Sequence, residues 1–314
     1  MKAVVRSAIS SLYEGWCEEE GRLYRLRIKG RVLRLGEWEY NPLAVGDEVE
    51  FTPYSPTEGL ITARLDRRSA FCRWNIKLEK NQTIAANMDQ VAIVTSAYEP
   101  PFRPRFLDRA LSCVQGEAHV MIVMNKCDFD LSEEEFDRWA LYHRLGYDIL
   151  AVSAATGEGI DELKRRLRGH VTALVGQSGV GKSSLVNLII QPEKKQATNA
   201  ISDKYQRGRH TTNHSLWLER DDIVLIDTPG VRELLVPYED KSVLEASFPE
   251  FAAFHDSCEY GGCTHSGEPG CAVVEALEEG AVDADRYYSY ISLLESLEER
   301  KPDYLRTRFR KNKQ

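Results

Sequence analysis

The chain has 314 residues, of which 42% are hydrophobic and 29% charged, with a formal net charge of -8. This composition predicts a folded globular protein with room for about two or three domains. The excess of negative charge disfavours a protein that coats DNA or RNA indiscriminately by neutralising phosphates. No apolar run approaches the ~20 residues of a membrane span, and the first residues lack a signal peptide's apolar stretch. We therefore expect a cytoplasmic protein, monomeric by default, with neither a membrane nor DNA as its partner.

Residues 1–72 are predicted to form a small β-barrel of the OB type, because short strands with alternating apolar positions are separated by turns. Residues 1–36 carry eight Lys and Arg against four Asp and Glu. Together with Tyr24 and Trp38, these cations suit RNA contact, although a solvated sheet face with aromatics in the core fits the same pattern. The basic side chains concerned are Arg22, Arg25, Arg27, Lys29, Arg31 and Arg34.

Residues 73–235 show the alternation of an α/β domain. Residues 75–87 are polar and predicted to be a connector. Apolar strands then alternate with helices, which predicts a mostly parallel sheet covered on both faces, with ligands at the carboxyl ends of the strands. The predicted strands are residues 90–96, 119–124, 148–152, 171–175, 213–218 and 222–227, and the helices are residues 104–115, 132–145 and 159–168.

A glycine-rich turn between a predicted strand and helix is the central motif of this domain. It fits G-x-x-x-x-G-K-[ST], in which glycines let backbone N–H groups wrap a phosphate chain; an ordinary glycine turn is the alternative. Lys182 is expected to neutralise the β- and γ-phosphates and Ser183 to ligate Mg²⁺. The expected nucleotide contacts are Gly176, Gln177, Ser178, Gly179, Val180, Gly181, Lys182, Ser183 and Ser184.

Two further loops resemble the guanine-reading loops of GTPases. Asn125-Lys-Cys-Asp128 directly follows a predicted strand and matches N-K-x-D. Asp128 would accept hydrogen bonds from guanine N1–H and the 2-amino group, Lys126 would lie over the base, and Asn125 would tie the loop together. Ser153 and Ala154 end the next strand and resemble the loop whose N–H meets the guanine 6-oxygen. Taken alone, N-K-x-D also fits a helix-capping loop.

The order of the motifs indicates a circular permutation. Asp227-Thr-Pro-Gly230 matches D-x-x-G, in which Asp227 reaches Mg²⁺ through water and the Gly230 N–H senses the γ-phosphate. A threonine between this motif and the phosphate loop, Thr211 or Thr212, is expected to ligate Mg²⁺. Small GTPases place N-K-x-D after D-x-x-G, whereas here it comes first. The chain therefore leaves Gly230 for a C-terminal domain.

Residues 236–314 are predicted to be a mainly helical, zinc-binding domain. Three cysteines and a histidine spaced C-x4-C-x-H-x5-C suit a closed tetrahedral Zn²⁺ site, which is structural because no position is left for a catalytic water. A redox or incidental cysteine cluster is the alternative. The basic tail, residues 300–314, suits RNA contact or a frayed end. The four ligands are Cys258, Cys263, His265 and Cys271.

This arrangement of barrel, permuted GTPase and zinc motif resembles the bacterial ribosome-small-subunit-dependent GTPase A family over nearly the whole chain. Residues 85–90 and 208–212 look like signatures of that family. The resemblance implies a late assembly factor that binds the small ribosomal subunit and its rRNA, hydrolyses GTP with stimulation by the subunit, and then leaves. It also implies GTP or GDP, Mg²⁺ and one structural Zn²⁺ as cofactors.

The hydrolytic step is the least specified by the residues. Val231 follows Gly230 where water-positioning GTPases place glutamine, and valine has no group that orients a nucleophile. By resemblance, His210 is the candidate to orient the water, with Lys182 and Thr212 as the other catalytic residues. The alternative is that His210 contacts rRNA or caps a loop. A GTP-binding RNA scaffold without turnover and an RNA-modification-associated GTPase are the alternative functions.

Overall fold

The computed structural model describes residues 1–9, 11–30, 32–33, 36, 39–190, 215–230, 234–237 and 241–300. The first five strands are β1 (Lys2–Ile9), β2 (Leu12–Cys17), β3 (Arg22–Ile28), β4 (Glu48–Pro53) and β5 (Glu58–Arg64). They form a closed barrel in the order β1-β2-β3-β5-β4, in which β4 pairs with β1 and β3 runs parallel to β5. The predicted OB-type barrel is confirmed.

The alternation of β3 decides which of its side chains reach solvent. Arg25 and Arg27 are exposed, whereas Tyr24 and Leu26 point into the barrel core. The Tyr24 ring packs 4.8 Å from that of Phe51, so Tyr24 is a core residue and not a platform for RNA bases. Of the other proposed RNA contacts, Arg31, Arg34 and Trp38 lie outside the described residues.

A separate three-stranded sheet is built from two strands that follow the barrel in the chain and one later strand. It is ordered β7-β6-β9, from β6 (Ser69–Asn75), β7 (Lys80–Ala86) and β9 (Val114–Gly116). The expectation of a polar connector over residues 75–87 is therefore wrong. Lys80, Asn81 and Gln82 are polar, but they pair across to the end of β6, and this ladder outweighs their low strand propensity.

The central domain is built on a six-stranded sheet in the order β11-β10-β8-β12-β14-β13. All neighbours are parallel except β13 and β14, which are antiparallel. The strands are β8 (Gln90–Ser96), β10 (His119–Asn125), β11 (Asp148–Ala151), β12 (Val171–Gly176), β13 (Leu216–Arg220) and β14 (Ile223–Asp227), and the helices are α1 (Pro104–Leu111), α2 (Glu133–Arg144), α3 (Ile160–Leu167) and α4 (Lys182–Ile190).

Both faces of this sheet are buried, as the continuous apolar strands predict. Successive residues of β8 show it, because Val91 and Ile93 join one hydrophobic cluster while Ala92 and Val94 join the other. α2 begins at a capping box, in which the Ser132 hydroxyl accepts from the Glu135 N–H and the Glu135 carboxylate accepts from the Ser132 N–H. None of the described helices is long and apolar enough to cross a membrane.

The C-terminal part is mainly helical. Its elements are α5 (Lys241–Glu245), a 3-10 turn (Pro249–Phe251), α6 (Ala252–His255), α7 (Ala272–Glu278) and α8 (Ala284–Arg300). Phe248 and Phe251 stack in its core and Tyr290 meets both rings edge-on, with ring centroids 5.0 to 5.5 Å apart. The aromatic cluster supplies part of the core of this small unit.

A buried ion pair joins the C-terminal part to the central domain. Arg286 on α8 and Asp108 on α1 are each 1% exposed, and the Arg286 Nη1 donates to Asp108 Oδ1 at 2.6 Å. The Tyr142 hydroxyl also donates to Asp108 Oδ1, and Arg286 forms a second ion pair with Glu250 at 2.7 Å. Every charge in this network has a partner, so the two units meet at a satisfied polar contact.

The barrel also contacts the central sheet. The Arg6 guanidinium lies between two indole rings, 4.6 Å from the centroid of Trp16 and 5.5 Å from that of Trp217. It also pairs with Glu219 at 2.9 Å. Because Trp217 and Glu219 belong to β13, the barrel packs on the strand that pairs with β14.

Candidate nucleotide-binding and metal sites

The phosphate loop connects the end of β12 to the start of α4. Gly179 and Gly181 have φ values of +89° and +92°, a region that side-chain-bearing residues rarely adopt. A Cβ built on Gly181 would lie 2.2 Å from Asn125 Nδ2, and one on Gly176 would lie 2.3 Å from the Val94 carbonyl oxygen. The backbone conformation therefore favours glycine at positions 179 and 181, and the close approach of neighbouring atoms favours it at positions 176 and 181.

Lys182 is held inside the phosphate loop. It is 7% exposed, and its Nζ donates to the carbonyl oxygens of Gly176 at 2.7 Å and Gln177 at 3.1 Å. Burial lowers the pKa of Lys182 to about 8, against the opposing charge of Asp227. The ammonium thus sits among backbone carbonyls, and bound phosphate oxygens would supply it with anionic partners.

The D-x-x-G loop lies against the phosphate loop. A Cβ built on Gly230 would lie 3.5 Å from both Lys182 Nζ and the Ser178 Cα. Thr228 is buried, and its hydroxyl donates to the Leu174 carbonyl at 2.6 Å, which fastens the loop to β12. The D-x-x-G loop therefore lies directly beside the lysine of the phosphate loop.

Asn125 joins three loops through one buried amide. Its Nδ2 donates to the Val180 carbonyl at 2.8 Å, and its Oδ1 accepts from the Ala154 N–H at 3.0 Å. The side chain is 1% exposed. N-K-x-D, the phosphate loop and the Ser153-Ala154 loop are therefore fixed relative to one another by hydrogen bonds that cross the fold.

Asp128 and Ser153 face each other beside this junction. The Ser153 hydroxyl donates to Asp128 Oδ1 at 2.5 Å and accepts from the N–H groups of Ala155 and Thr156. Asp128 is exposed, so a nucleobase in solution can reach its carboxylate. These contacts orient the Asp128 carboxylate without covering it.

A loop that sequence reasoning missed supports Lys126. Lys126 has a φ of +63°, and its Nζ donates to the carbonyl oxygen of Glu99, just after β8. Next to this contact Tyr98 and Phe129 stack with ring centroids 4.5 Å apart and an angle of 16° between planes. Two exposed aromatic residues so far apart in the chain form no sequence pattern that would have revealed the pair.

The sheet explains why these loops meet. Ser96 pairs with Asn125, Val94 with Gly176, and Leu174 with Asp227, so the carboxyl ends of β8, β10, β12 and β14 lie at one edge. Ser183 and Ser184 are exposed in the first turn of α4. His210, Thr211 and Thr212 lie outside the described residues.

The predicted zinc ligands also come together. The donor atoms of the four residues lie within 4.8 Å of one another. His265 Nδ1 is 3.7 Å from Cys258 Sγ and 3.4 Å from Cys271 Sγ. Three thiols and an imidazole at this separation fit a tetrahedral Zn²⁺, and their enclosure fits a structural role. Burial raises the pKa of Cys263 to about 12, so a thiolate at this position calls for a neighbouring cation.

Hydrogen bonds from within the loop and from α8 hold the loop that carries these ligands. Glu268 accepts from the N–H groups of Thr264 at 2.9 Å and Ser266 at 2.7 Å. Burial would raise the pKa of Glu268, but the hydrogen bonds from Thr264 and Ser266 outweigh it and lower that pKa to about 2. From α8, the Tyr287 and Tyr290 hydroxyls donate to loop carbonyls at 2.8 and 3.0 Å. The ligand geometry is thus fixed by the surrounding fold.

A P-loop, a guanine-type N-K-x-D loop and a D-x-x-G loop at one sheet edge, with N-K-x-D first in the chain, define a circularly permuted P-loop GTPase. The sequence profile of the RsgA GTPase matches residues 64–237. The chain belongs to the RsgA GTPase family and is a GTP hydrolase. Family membership implies binding of GTP, GDP and Mg²⁺.

Similar proteins extend over nearly the whole chain. A Borreliella burgdorferi protein named small ribosomal subunit biogenesis GTPase RsgA is 40% identical over 279 residues, covering 88% of this chain and 89% of its own. A Geobacillus protein of the same name is 38% identical over 302 residues, covering 95% and 97%. The crystal structure of YjeQ from Thermotoga maritima superposes with a TM-score of 0.69 at 28% identity, covering 94% of this chain and 98% of its own. That of YloQ, a circularly permuted GTPase, gives a TM-score of 0.68 at 25% identity, covering 96% of each.

Proposed function

We propose that this protein acts in late maturation of the small ribosomal subunit. In this proposal it binds the subunit and its rRNA, hydrolyses GTP to GDP and phosphate with stimulation by the subunit, and is released. The observation that carries the proposal is similarity to proteins named for this process over 88 to 95% of the chain. We further propose that the protein is cytoplasmic and monomeric.

The proposal assigns the nucleotide to the edge where the four strands end. Asp128 reads guanine N1–H and the 2-amino group, Lys126 lies over the base, and the Ala154 N–H, beside Ser153, meets the 6-oxygen. The observed link from Asn125 to Val180 and Ala154 supports this assignment, because it sets base-reading loops at a constant distance from the phosphate loop. The residues assigned to the phosphates and to the water bound to Mg²⁺ are 176–184, Thr211, Asp227 and Gly230.

The proposal gives the metals separate roles. Mg²⁺ is ligated by Ser183 and Thr212 and screens the charge of the phosphates. One Zn²⁺ is held by Cys258, Cys263, His265 and Cys271 and maintains the C-terminal fold. The domain division proposed is residues 1–72 for RNA binding, 73–235 for GTP hydrolysis and 236–314 for zinc binding.

Asp128 provides a test of guanine recognition. Asp128→Asn replaces an acceptor by an amide that can donate to the 2-oxygen of xanthine, so preference is expected to move from GDP towards XDP. The measurement is the ratio of the two dissociation constants, with Glu133→Ala as a control for an exposed carboxylate on α2. An unchanged ratio would remove Asp128 from base recognition.

The decisive experiment is the GTPase rate with purified small subunits, large subunits or bare rRNA. We expect a slow basal rate that small subunits alone raise strongly. His210→Ala is expected to retain GDP binding and lose the stimulated rate, because the variant lacks the imidazole that would orient the water. A rate that no particle raises would instead favour a GTP-binding RNA scaffold, and stimulated turnover intact in His210→Ala would exclude His210 from the reaction.

A further inference from the structure

The two ring nitrogens of His265 face different groups. Nδ1 points to the cysteine thiols, 3.4 Å from Cys271 Sγ. On the other side, Nε2 lies 3.3 Å from both Oε1 of Glu245, the last residue of α5, and Nδ1 of His255. Because His255 Nδ1 is only 2.6 Å from the same Glu245 oxygen and donates to it, the carboxylate is the acceptor left for His265 Nε2. The imidazole is 0% exposed, so neither nitrogen has bulk water as its partner.

This arrangement determines which ring nitrogen of His265 carries the hydrogen. A neutral imidazole that gives its Nδ1 lone pair to a cation carries its hydrogen on Nε2, and that N–H needs an acceptor. Glu245 supplies one. A carboxylate in this position fixes the ring orientation and increases the electron donation of the ligating nitrogen. The Phe251 ring packs edge-on against the same imidazole, with centroids 5.9 Å apart at 74°, and limits its rotation.

We propose that Glu245 is a positioning residue for the zinc site, acting through the Nε2–H of His265. The inference rests on the proposed zinc site and extends it to a residue outside the C-x4-C-x-H-x5-C segment. His255 completes the arrangement, because its Nδ1 lies 2.6 Å from the same Glu245 oxygen and helps to hold the carboxylate in place.

The same three side chains, Glu245, His255 and His265, also lie close enough to hold a cation themselves. Two cations on one imidazole would require His265 to lose its remaining ring hydrogen. A single cation held by the cysteines and His265 Nδ1 avoids this cost, because the hydrogen stays on Nε2 and can be donated to Glu245. The geometry therefore favours an outer carboxylate over a second metal ion.

The position of Glu245 in the chain gives this contact a further consequence. α5 follows the D-x-x-G loop, so the hydrogen bond from His265 fastens the zinc loop to the segment that connects the γ-phosphate sensor with the C-terminal part. Loss of Glu245 is expected to loosen the zinc loop and to leave the guanine loops intact, since those are joined through Asn125.

The test compares zinc affinity in full-length variants. Wild type, Glu245→Ala, Glu245→Gln and the matched control Glu278→Ala, an exposed glutamate on α7, are titrated against a chromogenic chelator after their zinc content is measured by mass spectrometry. We expect Glu245→Ala to bind zinc about 10- to 100-fold more weakly. Glu245→Gln keeps an oxygen acceptor and is expected to recover part of the loss, while Glu278→Ala matches wild type.

Cobalt substitution gives a readout that a general loss of stability would not produce. The visible spectrum of Co²⁺ in the site is expected to shift in Glu245→Ala, with GDP affinity and circular dichroism unchanged. Wild-type zinc affinity and an unchanged cobalt spectrum in Glu245→Ala would overturn the role of Glu245 alone. A wild type that binds no zinc would overturn the zinc site itself. Zinc retained in Cys258→Ser but lost in His255→Ala would place the metal on the second group and refute the proposal.

Discussion

Replacing Asn125 is the most direct test of how the nucleotide site is assembled. The side chain is 1% exposed and satisfies two backbone groups from different loops, the Val180 carbonyl at 2.8 Å and the Ala154 N–H at 3.0 Å. Asn125→Ala removes both partners and leaves both backbone groups in a closely packed place. The three loops then lose a side chain that bonds two of them to the third.

The magnitude follows from the two orphaned groups. An unsatisfied buried donor or acceptor costs about 1–3 kcal/mol, which applies to the Val180 carbonyl, while the half-buried Ala154 N–H adds less because water can reach it. Loops that part to admit water relieve some of this cost but lose their alignment. Loops that stay in place carry the cost equally in the free and the bound protein, whereas loops that part must be realigned when the nucleotide binds. We expect the loops to part, so that the cost appears in the Kd. We expect the Kd for GDP to rise at least about 30-fold, which corresponds to about 2 kcal/mol.

The assay is calorimetric titration of GDP with Mg²⁺ into the full-length protein, with circular dichroism to check the fold. Asn125→Asp separates the two bonds, because it keeps an oxygen for the Ala154 N–H and sets a carboxylate against the Val180 carbonyl. Glu133→Ala, on the exposed start of α2, serves as the control. A folded Asn125→Ala that binds GDP within threefold of wild type would refute the reasoning.

Two further predictions concern charges. Because burial lowers the pKa of Lys182 to about 8 and phosphates bind its protonated form, GDP affinity should be full just below pH 8 and fall as the pH rises above it. This fall should be absent in Lys182→Gln until the guanine N1–H itself ionises, and equal slopes in both proteins just above pH 8 would exclude Lys182 as the titrating group. Arg286→Met leaves Asp108 and Glu250 buried without their cation and should lower the free energy of unfolding by about 3–5 kcal/mol in urea titrations. Adding Asp108→Leu should recover part of that loss, and a change below about 1 kcal/mol in the single variant would contradict the assigned role.

The charge of Arg286 has its own physical explanation. Burial alone would lower the pKa of Arg286, but the hydrogen bonds that its guanidinium donates to Glu250 and the negative charges of Asp108 and Glu250 raise it above its usual value. The guanidinium therefore stays charged at any pH at which the protein is folded. In Arg286→Met the pH matters through the carboxyls instead: burial already raises the pKa of Asp108, and without the Arg286 charge opposing it the carboxyl binds a proton more readily, so the loss of stability should shrink as the pH falls.

Short contiguous motifs made the class of this protein predictable from its sequence. Residues 176–183, 125–128 and 258–271 each place their chemistry within one turn or loop, so spacing alone reveals them. The order of these motifs was sufficient to predict the permutation, and similarity to YloQ confirms it. The family and the OB-type barrel were also predicted from the residues and are confirmed.

Pairings between distant segments were not predictable in the same way. The polar strand β7 looked like a connector because its partner, β6, is needed to make it a strand. Tyr24 looked available to RNA, but closure of the barrel put its ring in the core. In both cases the environment of the residue comes from segments that the local sequence does not specify.

The residues that hold the sites in position show the same division. The sequence by itself determined which chemical groups are present and their local spacing: glycines that tolerate positive φ, a lysine for phosphates, three thiols and an imidazole for a cation. Only the tertiary structure decided that Asn125 joins Val180, that Glu99 meets Lys126 and that Glu245 meets His265. Such contacts join segments that are distant in the chain, and they exist only because packing of the whole fold brings those segments within hydrogen-bond distance.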